Sequence, residues 1–476
     1  MWRVLKNIYQ KVESAIRLGD TVTAFFLIEV GLRQGCILSP LLFLLFINDL
    51  GTVVNNLNKG VTFGNGKISI LFFADDIVLF AESKSDLELM LRVVYEYSLK
   101  WRCKFNYDKC GVIVFDNRNP NRKEIVYGKC SKKCRCGKHY LFGDTLINEV
   151  LMYKYLGVDL DYKLSFQSFK SRILSRARSN MGRIWAMGIR SGFLSVEASI
   201  NLWEALVRSG LEYASEVWGF EIWPEGQKVQ LEMGRRILRC QSKTSNEAVL
   251  GDLGWISLQA RRNLKKLIYW RKIISLPETS LVKKTYLYSK ESKKQRSWAN
   301  GVKKLLSQYN VDTLWNNTEN LDGRGNGESK STGDHLRFWK IFITRKVVAV
   351  EESQWRLNME KKSKLRTYRL FKSKLCFEKY LLSDNYIGRM IQCSLRNGSN
   401  RLEVEKGRWS KLEVEMRICK RCEMKKVEDE SHFILECNKY KDLRSKLLNG
   451  TLDQHQEKVF ELFQIFLCQA MKMSGE

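Results

Sequence analysis

Two short β-rich runs, Ile68-Ser69-Ile70-Leu71-Phe72-Phe73 and Ile77-Val78-Leu79-Phe80, are separated only by Ala74-Asp75-Asp76. So short a break between strand-forming runs reads as a tight hairpin with two carboxylates at its tip. Adjacent carboxylates repel each other unless a cation sits between them, and hard oxygen ligands suit Mg²⁺. An ordinary Asp-rich turn carries the same residues. The hairpin therefore takes its meaning from what surrounds it.

Upstream, Trp2, Leu5, Ile8, Tyr9, Val12 and Ile16 recur at three- and four-residue intervals, which predicts one helix. Gly31 to Gly35 is a turn signal; Ser39 can then cap, and Pro40 can begin, a helix through Leu41 to Ile47 that is apolar all round and hence expected to be buried. A helix over Ser85 to Trp101 and a strand over Gly111 to Phe115 follow, so the first part of the chain reads as α+β. From Lys163 to about Ser275 helical spacing dominates, with Trp203, Leu206, Val207 and Leu211 as one apolar stripe. Asn316 to Asp334 is rich in Asn, Gly, Ser and charge and reads as a linker. Leu402-Glu403-Val404-Glu405 recurs as Leu412-Glu413-Val414-Glu415, too short to imply a repeat architecture.

Over 476 residues, 81 Lys and Arg face 52 Asp and Glu, a net charge of +29 that favours a polyanionic partner and makes nucleic acid the leading one. Between Tyr162 and Arg190 there are seven basic residues and no acidic one. Of these, Lys170, Arg172, Arg176, Arg178 and Arg183 are candidate phosphate contacts. The longest apolar stretch, Cys36 to Ile47, is broken by Ser39-Pro40 and is shorter than the roughly 20 residues that span a bilayer. The N-terminus lacks the pattern of a secretory signal. An intracellular setting, nucleus or cytoplasm, is expected, with the 13 cysteines as free thiols or metal ligands.

Cys419-x2-Cys422-x9-His432-x4-Cys437 carries the stronger thiol pattern. Two cysteines two residues apart form a knuckle, and a His and a Cys five apart can approach from one helical turn, giving the closed four-ligand set of a structural Zn²⁺. Cys130, Cys134, Cys136 and His139 lie close together among basic residues, but a Cys-x-Cys step strains a tetrahedral site. Whether they bind metal or form a basic insertion with reduced thiols stays open.

Leu32-Arg33-Gln34-Gly35-Cys36-Ile37-Leu38-Ser39-Pro40-Leu41-Leu42-Phe43, followed by the Phe73-Ala74-Asp75-Asp76 hairpin, resembles the reverse transcriptases of non-LTR retrotransposons. Trp101 to Asn106 with Lys109 and the run Gly111 to Phe115 resemble the family's fourth palm motif. Tyr153-Lys154-Tyr155-Leu156-Gly157-Val158 resembles its primer grip, and Leu211 to Gly219 with Gly251 to Leu258 its thumb. Val404 to Trp409 and Glu428 to Phe433 resemble its C-terminal knuckle.

The resemblance implies part of a right-hand polymerase palm over 1–162, a helical thumb over 163–275, a connector over 276–410 with its linker near 316–334, a zinc knuckle over 411–445 and a tail over 446–476. It implies RNA-directed DNA polymerisation on an RNA template and a DNA primer or target, with Mg²⁺ and Zn²⁺. Asp75 and Asp76 would bind Mg²⁺, Gln34 and Gly35 would contact nucleotide and template, and Lys109 would lie near the leaving pyrophosphate. A further Asp motif that the family places upstream of the Gln-Gly turn has no match in this sequence. The chain is therefore expected to be incomplete at the catalytic site, either as a fragment or as a decayed copy. The alternative expectation is a non-catalytic remnant that binds RNA or DNA through its thumb and knuckle.

Overall fold

The computed structural model describes residues 2–29, 31–33, 35–64, 66–115, 139–292, 297–315 and 332–448, and the chain divides into two compact units. One comprises residues 1–155 and 160–165, the other 156–159 and 166–476.

In the first unit the opening helix spans Trp2–Tyr9 and does not continue to Ile16. Lys11 takes a left-handed φ of 55°, after which Val12–Ser14 pairs with Phe26–Ile28 and Arg17–Leu18 with Thr21–Val22, both antiparallel. Val12 and Ser14 are the half-buried positions of a short strand, and over so few residues a period of two is easily mistaken for a helical one.

Pro40 occupies the first turn of the Ser39–Asn56 helix as expected, but Leu38, not Ser39, is the cap residue. The Ser39 hydroxyl instead donates to the Arg33 carbonyl at 2.7 Å and holds the preceding turn. Nor is this helix buried all round. Ile47, Leu50 and Val54 pack on Met90, Leu91, Val94 and Tyr97 of the Lys84–Trp101 helix, whereas Leu41, Leu44 and Leu45 remain 55%, 48% and 65% exposed. Within this unit the partner helix covers one side only. Ser83 caps that partner, accepting from the Asp86 amide at 3.1 Å.

The expected strand over Gly111 to Phe115 reduces to one parallel bridge, Val112 with Glu149. The Val112 amide donates to the Asn148 carbonyl and its carbonyl accepts from the Val150 amide, so pairing ends after one residue. Phe142, in the hairpin formed by His139–Phe142 and Thr145–Asn148, gathers Tyr95, Phe105 and Tyr107 around its ring at centroid distances of 5.3 to 5.7 Å. Cys130, Cys134 and Cys136 lie outside the described residues, as does the side chain of His139.

The second unit is predominantly helical. The Gln167–Ile184 helix turns Phe169, Ile173, Ala177, Met181 and Ile184 into a core shared with Trp203, Trp218 and Trp223. Trp203, Val207 and Leu211 form the expected stripe, but Leu206 is 47% exposed. The widened turn over Glu204–Arg208 holds an extra residue and carries Leu206 off that face.

Asp252 is fully buried and accepts from the Tyr368 and Tyr380 hydroxyls at 2.9 and 2.6 Å, with Arg396 at 3.6 Å. Burial pushes this carboxyl up, and Arg396 opposes the shift. The backbone approaches so closely here that a Cβ on Gly251 would stand 2.2 Å from the Tyr368 hydroxyl, so only glycine fits without displacement. Most of the expected linker, residues 316–331, lies outside the described residues, and the Thr332–Glu360 helix begins within its span. The two Leu-Glu-Val-Glu copies have different fates: Leu402 and Val404 are buried, whereas Leu412 and Val414 are exposed.

Candidate functional site

Ile70–Phe73 pairs antiparallel with Asp76–Leu79 in a register that sets Phe73 opposite Asp76. Ala74 takes a φ of 50°, which closes the turn and leaves Asp75 in it, with Asp76 as the first residue of the returning strand. Both carboxylates belong to exposed residues. Tyr153 and Tyr155, on the Met152–Tyr155 strand, have their phenols raised first by burial, and the negative charge of Asp76 adds to both shifts.

The Tyr153 hydroxyl also donates to the Lys109 carbonyl at 2.6 Å. Tyr153 thereby ties the exposed Lys109, at the end of the Tyr107–Lys109 turn, to the strand that senses Asp76. This link was not evident from sequence spacing. Among the described residues no third Cys, His or carboxylate clusters with Asp75 and Asp76 as a ligand set.

Gly35 is exposed with a φ of 81°, a conformation that favours glycine, and Gln34 lies outside the described residues. Beside Gly35, the Tyr9 hydroxyl donates to the Cys36 thiol at 3.5 Å and is the largest of the influences that lower that thiol to about 7.

The five basic candidates separate into two groups. Lys170 is buried, with its Nζ 3.3 Å from Glu221 and 5.9 Å from the centre of the Trp218 ring. Arg172 is clamped by Asp159 at 2.7 and 3.1 Å and by the Gly157 carbonyl at 2.7 Å. Arg176, Arg178 and Arg183 are exposed. Asp159 was the unrecognised partner, and its position three residues before the acid-free run is the signal that could have found it.

Cys419, Cys422, His432 and Cys437 converge, their ligand atoms all within 4.8 Å of one another. Ligands on a tetrahedral Zn²⁺ with Zn–S of about 2.3 Å lie roughly 3.8 Å apart, so the set fits such an ion. His432 Nε2 stands 3.4 Å from the Cys422 sulfur, while the buried Nδ1 makes no hydrogen bond and has the Glu436 carboxylate at 3.8 Å.

Three of the four residues are placed by hydrogen bonds from their own backbone amides. Ile418 bridges Val427, and the Cys419 amide donates to the Lys426 carbonyl at 2.9 Å. Asp429 accepts from the His432 amide at 2.8 Å, a capping interaction three residues ahead that the sequence pattern Asp-x-x-His carries. The Cys437 amide donates to the His432 carbonyl at 2.7 Å, closing the widened turn over His432–Glu436. Burial pushes the Cys419 thiol up to about 11, while the Met424 backbone lowers Cys422. A buried thiolate at Cys419 thus calls for a cation. The four residues can hold a metal ion.

Residues 3–160 match the family described as reverse transcriptase (RNA-dependent DNA polymerase). The RNA-directed DNA polymerase from mobile element jockey of Drosophila funebris is 24% identical over 247 residues, covering 50% of this chain and 25% of the relative. The jockey polymerase of Drosophila melanogaster is 26% identical over the same shares. The retrovirus-related Pol polyprotein from type-2 retrotransposable element R2DM, also of Drosophila melanogaster, is 37% identical over 106 residues, 22% of this chain and 10% of the relative. The chain thus spans about a quarter of the length of the jockey relatives it matches. Among the described residues no helix is long and apolar enough to cross a membrane. The carboxylate hairpin lies inside the matched segment, and residues 3–160 carry a reverse transcriptase domain similar to those of the mobile-element polymerases named above.

Proposed function

We propose that this chain is a template-copying part of a mobile-element polymerase, with a palm over 1–162, a thumb over 163–275, a connector over 276–410 and a zinc knuckle over 411–445. The observation that carries this reading is the exposed Asp75–Asp76 pair on a tight antiparallel hairpin inside the segment that matches reverse transcriptases. Its partners are an RNA template and a DNA primer or target.

Asp75 and Asp76 supply oxygen ligands of the kind Mg²⁺ takes, and Mg²⁺ bound there would activate a primer hydroxyl and neutralise the leaving pyrophosphate. Gln34 and Gly35 are assigned to nucleotide and template, and Lys109 to the pyrophosphate side. Two adjacent carboxylates are short of a two-metal site, so the activity needs a carboxylate beyond this pair. The second reading, a nucleic-acid-binding remnant, is favoured by the same shortfall together with the exposed Arg176, Arg178 and Arg183.

Binding and extension of a template–primer by the full chain with Mg²⁺ test both readings. The expected result is binding that weakens with salt and no primer extension. Replacing Arg176, Arg178 and Arg183 by Ala is expected to lower the slope of log affinity against log salt by about 0.9 for each phosphate that these side chains neutralise. Extension abolished by Asp75→Ala would overturn the shortfall. Absence of template–primer binding would overturn the function.

A further inference from the structure

Trp409 ends the Glu403–Trp409 helix with 78% of its surface exposed. Val404 and Gly407, on the opposite side of that helix, are buried, so the indole is presented outward from an anchored element. The residues that follow it are equally unusual: Leu412 and Met416 are 46% and 64% exposed.

This segment is held in place. Arg417 donates to the Val404 carbonyl at 2.8 Å and to the Leu412 carbonyl at 2.7 and 3.1 Å, and the Leu412 amide donates back to the Gly407 carbonyl at 2.9 Å. Arg417 lies so close to the helix that a Cβ on Gly407 would stand 2.5 Å from its Cγ. A fixed, outward apolar surface in a basic setting suits an anionic ligand with flat apolar faces. Residues 406–426 hold eight Lys or Arg against three Glu. Lys411, two residues from the indole, is exposed, and no carboxylate among the described residues pairs with it.

We propose that Trp409, backed by Leu412 and Met416 and flanked by Lys411, is a stacking platform for the unpaired bases of a single-stranded nucleic acid. Every base has a π-face, so an exposed indole with nearby cations binds a single strand with little sequence preference, whereas a duplex keeps its bases stacked internally and offers the indole nothing. A protein partner would use the apolar surface without needing the cations. This inference rests on the proposed nucleic-acid-binding function and adds a strand type and a residue to it.

The experiment compares the full chain with Trp409→Ala, Trp409→Phe and Trp409→Leu, using a single-stranded RNA oligonucleotide and an RNA–DNA duplex of equal length, with bound metal as the check on the neighbouring module. Loss of one stacked base is worth roughly 5- to 150-fold in affinity. Trp409→Ala and Trp409→Leu are expected to lose single-strand affinity in that range and Trp409→Phe to retain most of it, with duplex affinity unchanged in all three. Equal single-strand binding by the parent and Trp409→Ala overturns the platform, as does a Leu variant that binds like the Phe variant. If duplex binding persists in either case, the proposed function stands without it; a parent that binds neither probe overturns both.

Discussion

Asp75 and Asp76 stand exposed on a two-strand hairpin with no third ligand clustered beside them among the described residues, whereas Cys419, Cys422, His432 and Cys437 close on one another with three of the four buried. Around the second set, Glu428 and Glu430 are themselves 3% and 1% exposed. Glu430 accepts from Arg366 at 2.7 and 2.9 Å, from Thr367 at 2.8 Å and from Asn400 at 2.7 Å. An open pair of hard oxygens can serve chemistry and contributes little to folding. A closed set of soft ligands does the reverse, because the module around it has a core of only a few residues, Leu395, Leu402, Val404 and Ile434.

The contrast is tested most severely by metal removal. The purified chain is expected to carry one zinc, and Cys422→Ser or chelation to open the module, seen as new protease cleavage between residues 411 and 445. Structural zinc binding amounts to about 10 kcal/mol or more of folding free energy in such small modules. Asp75→Ala should leave both thermal stability and zinc content unchanged, since exposed substitutions usually stay within about 0.5 kcal/mol. A large loss of stability in Asp75→Ala would mean that the hairpin is a folding element after all.

A smaller effect is expected for Glu430→Ala, which leaves Arg366 with Glu405 alone as a carboxylate partner. Arg366 is partly exposed, so the cost is set at about 2 kcal/mol, below that of breaking a fully buried pair. Urea unfolding followed by hydrogen exchange across residues 395–436 measures it. A neutral result would detach the module from the helices beneath it.

An effect of similar size, read only as a pH dependence, concerns Lys266, which is fully buried, donates to the Gly219 carbonyl at 2.6 Å and has its amine lowered to about 7, first by burial and then by Arg262. Between that value and its ordinary one near 10.5 the unfolded chain holds a proton that the folded chain lacks, so stability rises with pH across this window and is flat below it. From pH 7 to 9 the parent should gain about 2 kcal/mol relative to Lys266→Met in urea unfolding. Parallel pH curves for the two proteins would place the ammonium in a solvated setting.

What the sequence made legible follows from how local each feature is. The carboxylate hairpin and the four-ligand set are written in consecutive or evenly spaced residues, and both assemble as their spacing suggests. Features that depend on distant partners were hidden. Arg172 reads as a free cation until Asp159 is seen against it, and Leu41, Leu44 and Leu45 read as core until they are found exposed among the described residues. The two Leu-Glu-Val-Glu copies make the same point within one module. Identical residues are buried in one copy and exposed in the other, because only the first begins a helix that faces Ile434 and its neighbours.

The widened turn over His432–Glu436 acts as a ruler. Its single five-residue hydrogen bond fixes how far apart His432 and Cys437 fall, and a turn of ordinary pitch would swing Cys437 away from the other three by most of a right angle. One residue gained or lost between 433 and 436 therefore carries Cys437 away from the other three. Among diverging copies of such a chain, the length of this interval would be kept for as long as the proposed metal is used, so the spacing itself becomes a record of that use.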